Sequence, residues 1–137
     1  MAQYPTKEDI LATKPEFDKR MLWCFRQWKA ITIPNWKNLD KSQKTLCLEF
    51  LIYVITPYYN KEIPKVKWDK EYKYNTRTKT IFLNQNNPSI ISTLHELAHH
   101  LYGPSELKAC QWSIHLFKQQ FPNSYKKLKW EGHKLTK

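Results

Sequence analysis

The sequence predicts an α+β fold, and three observations carry that prediction. Apolar residues recur at helical spacing near both ends of the chain. In the middle, aromatic and β-branched residues alternate with lysines. A helix-start signal then precedes the string His95-Glu96-Leu97-Ala98-His99. With 137 residues the chain reads as one domain, residues 1–137, large enough for a modest core without a metal or disulfide to hold it.

The elements follow in order. Residues 1–14 are expected to be a loose arm. From Glu16 to Ala30 a broad helical stripe holds Phe17, Met21, Trp23, Cys24, Phe25 and Trp28, and Ile33-Pro34 ends it. Asp40 is placed to cap a second helix running through Leu46, Phe50, Leu51 and Val54 to Ile55, ahead of Pro57. Lys65-Val66-Lys67-Trp68 and Tyr72-Lys73-Tyr74 alternate, 75–79 is turn-like, and Thr80 to Leu83 is β-branched and apolar. These segments predict a small antiparallel sheet between the N-terminal helices and a final helix pair.

Asn87-Pro88 supplies a capping residue and a proline for the first helix of that pair. Gly103 stops it, free to take the left-handed conformation. Ser105 caps the second helix, which runs to Gln120 before Phe121-Pro122. Residues 122–137 remain as a basic C-terminal tail.

The chemistry concentrates on the first of these two helices. Ile90, Ile91, Leu94, Leu97, Ala98, Leu101 and Tyr102 share one arc of the helical wheel, and His95, Glu96 and His99 share the adjoining one. Imidazoles four residues apart are neighbours on a helix, so His95 and His99 can reach one metal ion. Glu96 is angled to hold or deprotonate a water there. His100 projects about 120° away by the angular step of the helix and reads as a bystander, with a contact to a ligand or substrate as its alternative.

A catalytic zinc usually takes three protein ligands. Glu106 is the expected third. It points from the middle of the next helix's buried arc, between Leu107, Cys110, Ile114, Phe117 and Phe121 on one side and Ala109 and Leu116 on the other. An unpaired carboxylate there would be costly, and a metal would compensate it. His115 falls with Lys108, Gln111, Lys118 and Gln119 on the solvated side and is set aside. His133 stays open as a ligand, or as a hydrogen-bond donor to developing charge, if Gly132 bends the tail back over the site.

These residues resemble those of the zincin metallopeptidases, with the nearest likeness to small intracellular and phage-type members, ImmA/IrrE-like or SprT-like. The resemblance spans roughly Lys79 to Phe121. Thr80-Ile81-Phe82-Leu83 stands where a strand precedes the H-E-L-x-H helix, and Glu106-Leu107-Lys108-Ala109 follows in an E-x-x-A-like context. The link from His99 to Glu106 is short for the first group. It departs by one residue, and by its Glu, from the H-E-x-x-H-x-x-G-x-x-H/D pattern of the second. No Met follows the site, which excludes a metzincin Met-turn.

The resemblance implies a minimal zincin-like domain with Zn2+ on His95, His99 and Glu106. It implies hydrolysis of a peptide or protein substrate by zinc-activated water, with Glu96 as general base. It also implies that the Thr80–Leu83 strand borders the cleft as a sheet edge and pairs with extended substrate. Tyr102 or His133 would donate to the oxyanion.

Cys24, Cys47 and Cys110 are odd in number, lack C-x-x-C spacing and sit among apolar residues. They read as packed thiols in a reducing compartment. The start lacks the apolar core of a signal peptide, and the longest apolar run, Leu46 to Ile55, is broken by Glu49. The expectation is a cytoplasmic protein with no membrane span, phage-encoded if the phage-type likeness extends that far.

The net charge is +11, densest in lysines over 125–130 and 134–137. It reads as a solvated coat or as a surface that holds nucleic acid by counterion release. Two further function classes therefore stay open. One is a phage or mobile-element structural or regulatory protein; the other is a metal-stabilised nucleic-acid-binding module without hydrolase activity.

Overall fold

The computed structural model describes residues 4–136. Its elements are α1 (Lys7–Ala12), α2 (Lys19–Thr32), α3 (Lys41–Ile55), β1 (Lys65–Asp69), β2 (Lys73–Asn75), β3 (Thr80–Asn84), α4 (Ile90–Tyr102), α5 (Glu106–Gln120), α6 (Pro122–Lys126), β4 (Lys129–Glu131) and β5 (Lys134–Thr136). The fold is mixed α+β, as the sequence predicts. No helix among the described residues is long and apolar enough to cross a membrane.

Polar caps decide where the N-terminal helices begin. Asp18 accepts from the backbone N–H groups of Arg20 and Met21, so α2 starts at Lys19, later than its apolar spacing suggests. Asp40 and Gln43 cap α3 reciprocally. Met21, Phe25 and Trp28 of α2 then bury against Leu48, Leu51, Ile52 and Ile55 of α3, and this layer packs on β3 and α4. Full burial of such a side chain contributes about 1.5–3 kcal/mol. Trp23, expected in the stripe, is instead 58% exposed.

The sheet departs from the all-antiparallel expectation. Its order is β1-β3-β2, with β1 parallel to β3 and β2 antiparallel to it. The Thr80–Leu83 strand is therefore central and is no sheet edge. The cause lies in the residues: Thr80, Ile81 and Leu83 are buried, whereas β1 exposes Lys65 and Lys67 and β2 exposes Lys73 and Asn75. Lysine-bearing, alternating strands suit edges, and an uninterrupted apolar strand suits the middle.

The N-terminal arm is more ordered than expected. A reciprocal Thr6–Asp9 cap starts α1, and Ile10 is fully buried against α5. The expected loose arm is thus a docked helix from residue 7; its first three residues lie outside the described ones. The basic tail folds as α6 and a β4–β5 hairpin that turns at Gly132 (φ +64°). Trp130 and Leu135 of the hairpin join Ile10, Cys110 and Ile114 in a second small cluster.

Candidate metal centre

The local sequence builds α4 and α5 as a tight helical pair. Ser89, rather than Asn87, caps α4 by accepting from the Ser92 N–H, because Asn84 Oδ1 already draws 86 and 87 into a turn. Leu94, Leu97, Ala98 and Leu101 bury one face, which leaves His95, Glu96 and His99 half-buried beside it. At Gly103 the chain leaves the helix with φ +92° and ψ −158°. This is a positive-φ conformation that glycine adopts freely, though not the left-handed helical one that was expected. Ser105 then caps α5 through the Lys108 N–H, placing Glu106 in the first turn.

This geometry brings three of the predicted residues together. His95 Nε2 lies 3.3 Å from Glu106 Oε2, and His99 Nε2 lies 2.7 Å from Glu106 Oε1. The ligating atoms of His95, His99 and Glu106 all fall within 4.8 Å of one another. Donors about 2.05 Å from a tetrahedral ion lie about 3.3 Å apart, so the triangle suits a zinc-sized ion after small shifts.

Hydrogen-bond valence sharpens the point. His99 Nδ1 sits 2.9 Å from the Gly103 carbonyl, which can only accept, so Nδ1 carries a proton and donates it. In the neutral ring Nε2 is then a bare lone pair facing a carboxylate oxygen. Two acceptors at 2.7 Å need a cation between them, a proton or a metal ion. The Gly103 carbonyl thereby fixes the His99 tautomer that presents Nε2 as a ligand.

The electrostatics agree. Burial works to lower the pKa of His95, but the Cys110 thiol and the Glu106 carboxylate override it and push the value up to about 10. The hydrogen bond from His95 holds Glu106 down to about 2, against the opposing effect of burial. The pocket is built to hold positive charge beside this carboxylate. Burial raises the Glu96 carboxyl pKa, while His95 and His99 pull it down and Glu106 pushes it up.

Two grooves meet at these residues. One, about 400 Å³, is walled by Ile91, Ile114, Tyr4 and the hairpin residues His133 to Thr136. The other, about 350 Å³, is walled by Lys73, Tyr74, Thr76, Gly103 and Pro104. His95, Glu96, Glu106 and Tyr72 line both. The edge strand beside the site is therefore β2, not the Thr80–Leu83 strand.

The remaining candidates are placed as follows. His133 lines the first groove, stacked flat on Tyr4 at 4.4 Å, and lies outside the converging ligand group. Tyr102 packs among Tyr59 and Trp112 and lines neither groove, so the structure removes it as an oxyanion donor. His115 is buried, not solvated, and donates through Nε2 to the Ile10 carbonyl because α1 covers that side of α5. His100 is also buried. It donates through Nε2 to the Glu62 carbonyl and accepts from Tyr74 Oη through Nδ1, tying α4 to β2. Tyr72 is a groove residue that sequence reasoning missed; its hydroxyl accepts from the Ser89 N–H and donates to the Asn87 carbonyl. Its place in an alternating strand gave no sign that it would meet the α4 cap. Cys110 lies 4.0 Å from His95 Nδ1, on the side of that ring away from Glu106.

Comparison of the chain with protein-family models, with curated proteins and with solved structures returns no match.

Proposed function

We propose that this protein is a zinc-dependent peptidase whose metal is held by His95, His99 and Glu106, with Glu96 as general base. One observation carries the reading: His99 Nε2 and Glu106 Oε1 sit 2.7 Å apart with His95 Nε2 beside them, an arrangement that calls for a cation. Two imidazoles and one carboxylate form a ligand set used by catalytic zinc, with a position left for water. When bound, zinc supplies Lewis acidity, acidifying water and polarising a carbonyl.

The chain's own residues do the rest. An extended substrate lies along β2, whose outer edge borders the groove at Lys73 and Tyr74. Glu96, half-buried and lining both grooves, takes the proton from the attacking water and passes it to the leaving amine nitrogen. Its raised pKa suits that double duty. His133, held flat on Tyr4 in the adjoining groove, donates to the carbonyl oxygen as charge develops there. The Gly103 carbonyl keeps His99 in the ligating tautomer.

Metal content by mass spectrometry, paired with a peptide-hydrolysis assay, tests this reading. Wild type should carry one zinc, His99→Ala and Glu106→Ala should lose it, and His133→Ala and Glu96→Gln should keep it. Glu96→Gln should lower turnover by roughly 10²–10⁴-fold. Wild type without stoichiometric metal, or Glu96→Gln with full turnover, refutes the proposal.

A further inference from the structure

Helix α3 is apolar on two opposite faces. Leu48, Leu51, Ile52 and Ile55 form the buried one. On the other side Leu46, Phe50 and Tyr53 are 58%, 60% and 38% exposed, and Ile31 at the end of α2 is 77% exposed beside them. These four, with Trp28, Thr32, Cys47 and Glu49, line a groove of about 400 Å³. A helix that is apolar all round is ordinarily covered all round. The groove shares no lining residue with either groove of the metal centre.

From this we infer that the α2–α3 face is a homodimer interface, occupied by the same face of a second copy. The spacing of Leu46, Phe50 and Tyr53, four residues and then three, is that of a seam by which a helix packs on an identical helix. Across a two-fold axis the same patch serves both partners, and α3 lies against its mate with Ile31 closing the flank.

Charge and area favour this occupant. In a chain of net charge +11, the groove lining holds one ionisable carboxylate and no lysine or arginine. That carboxylate, Glu49, is already engaged, accepting from Tyr53 Oη and from Trp68 Nε1, each at 3.0 Å. Two copies therefore meet here without facing lysines, and an acidic partner finds no basic group in the groove to select it. With about 200 Å² for each large side chain, the four exposed residues offer roughly 450 Å² per copy. Doubled, this is about 900 Å², and a polar rim carries it past the ~1,000 Å² that a biological interface should clear.

Sedimentation equilibrium of the full chain, wild type and variants, tests the inference. Wild type should sediment as a dimer. Phe50→Glu, which places a carboxylate in the seam, should raise the dimer dissociation constant roughly a hundredfold or more. The same variant should keep its circular dichroism, because Phe50 is outside the core. Mixing Phe50→Glu with Phe50→Lys should restore association, since the two-fold brings the opposite charges together. A wild type that is monomeric at every concentration overturns the inference. So does a dimer that Phe50→Glu leaves intact, or a mixture that fails to reassociate.

Discussion

At the cleft between α4 and α5, ionisable side chains are drawn partly out of water, whereas on the outer face of α2 and α3 large apolar side chains are left in it. His95, Glu96, His99 and Glu106 are half-buried around one point, while Ile31, Leu46 and Phe50 are each more than half exposed. Both regions carry a local cost that folding alone does not require. In the cleft the cost is desolvated charge, which a small cation would offset. On the outer face it is hydrated hydrocarbon, which only another apolar surface offsets. The kind of burial rule that is broken thus indicates the kind of partner.

Truncating two neighbours on α3 separates the buried face from the exposed one. Leu51→Ala empties a fully buried position and should destabilise the protein by about 2–5 kcal/mol in a denaturant titration. Phe50→Ala should leave the unfolding free energy of the isolated chain within about 0.5 kcal/mol of wild type. Equal losses at the two positions would mean that the outer face belongs to the folding core.

A smaller effect probes the cleft's backbone. An added Cβ at Gly103 meets nothing within 4 Å, so Gly103→Ala introduces no clash and forces only an unfavourable positive φ. The expected loss is about 1–3 kcal/mol, with weakened metal binding as the Gly103 carbonyl shifts from His99 Nδ1. Thermal melts with and without zinc would show it as a narrower gap between the metal-free and zinc-loaded midpoints. An unchanged gap would detach this carbonyl from the metal site.

A further test is the effect of pH on the metal-free protein. The His95 pKa is raised from 6.5 to about 10, so its stabilisation is complete below 6.5 and fades as pH climbs towards 10. The Glu106 pKa is lowered from 4.5 to about 2, so its stabilisation holds above 4.5 and fades as pH drops towards 2. Chelated protein should therefore gain most from this pair between pH 4.5 and 6.5. Zinc binds neutral imidazole, so saturating metal should flatten the alkaline limb. An alkaline limb identical with and without zinc would show that His95 does not meet the metal.

The helical half of the molecule and the convergence of His95, His99 and Glu106 could be read from local signals. Asp40 capping α3, Ser105 capping α5, and the four-residue spacing of His95 and His99 all act within one or two helical turns, where geometry follows from adjacent residues. Glu106 was legible because a carboxylate on a buried arc demands a partner. The sheet was less so. The resemblance implies an edge at Thr80 to Leu83, although the apolar run Ile81 to Leu83 is the mark of a central strand. His115 was assigned to solvent because the helical wheel of α5 could not anticipate that α1, a hundred residues earlier, would cover it.

Short-range order in the chain was enough to determine which segments coil into helices, where most of them stop, and which three side chains of α4 and α5 converge. Strand order, the docking of both termini around α5, the stacking of His133 on Tyr4 and the apolar groove left on α2–α3 were decided only in three dimensions. These depend on contacts between residues far apart in sequence. Such contacts are selected by the total surface removed from water, which no local window of the chain contains.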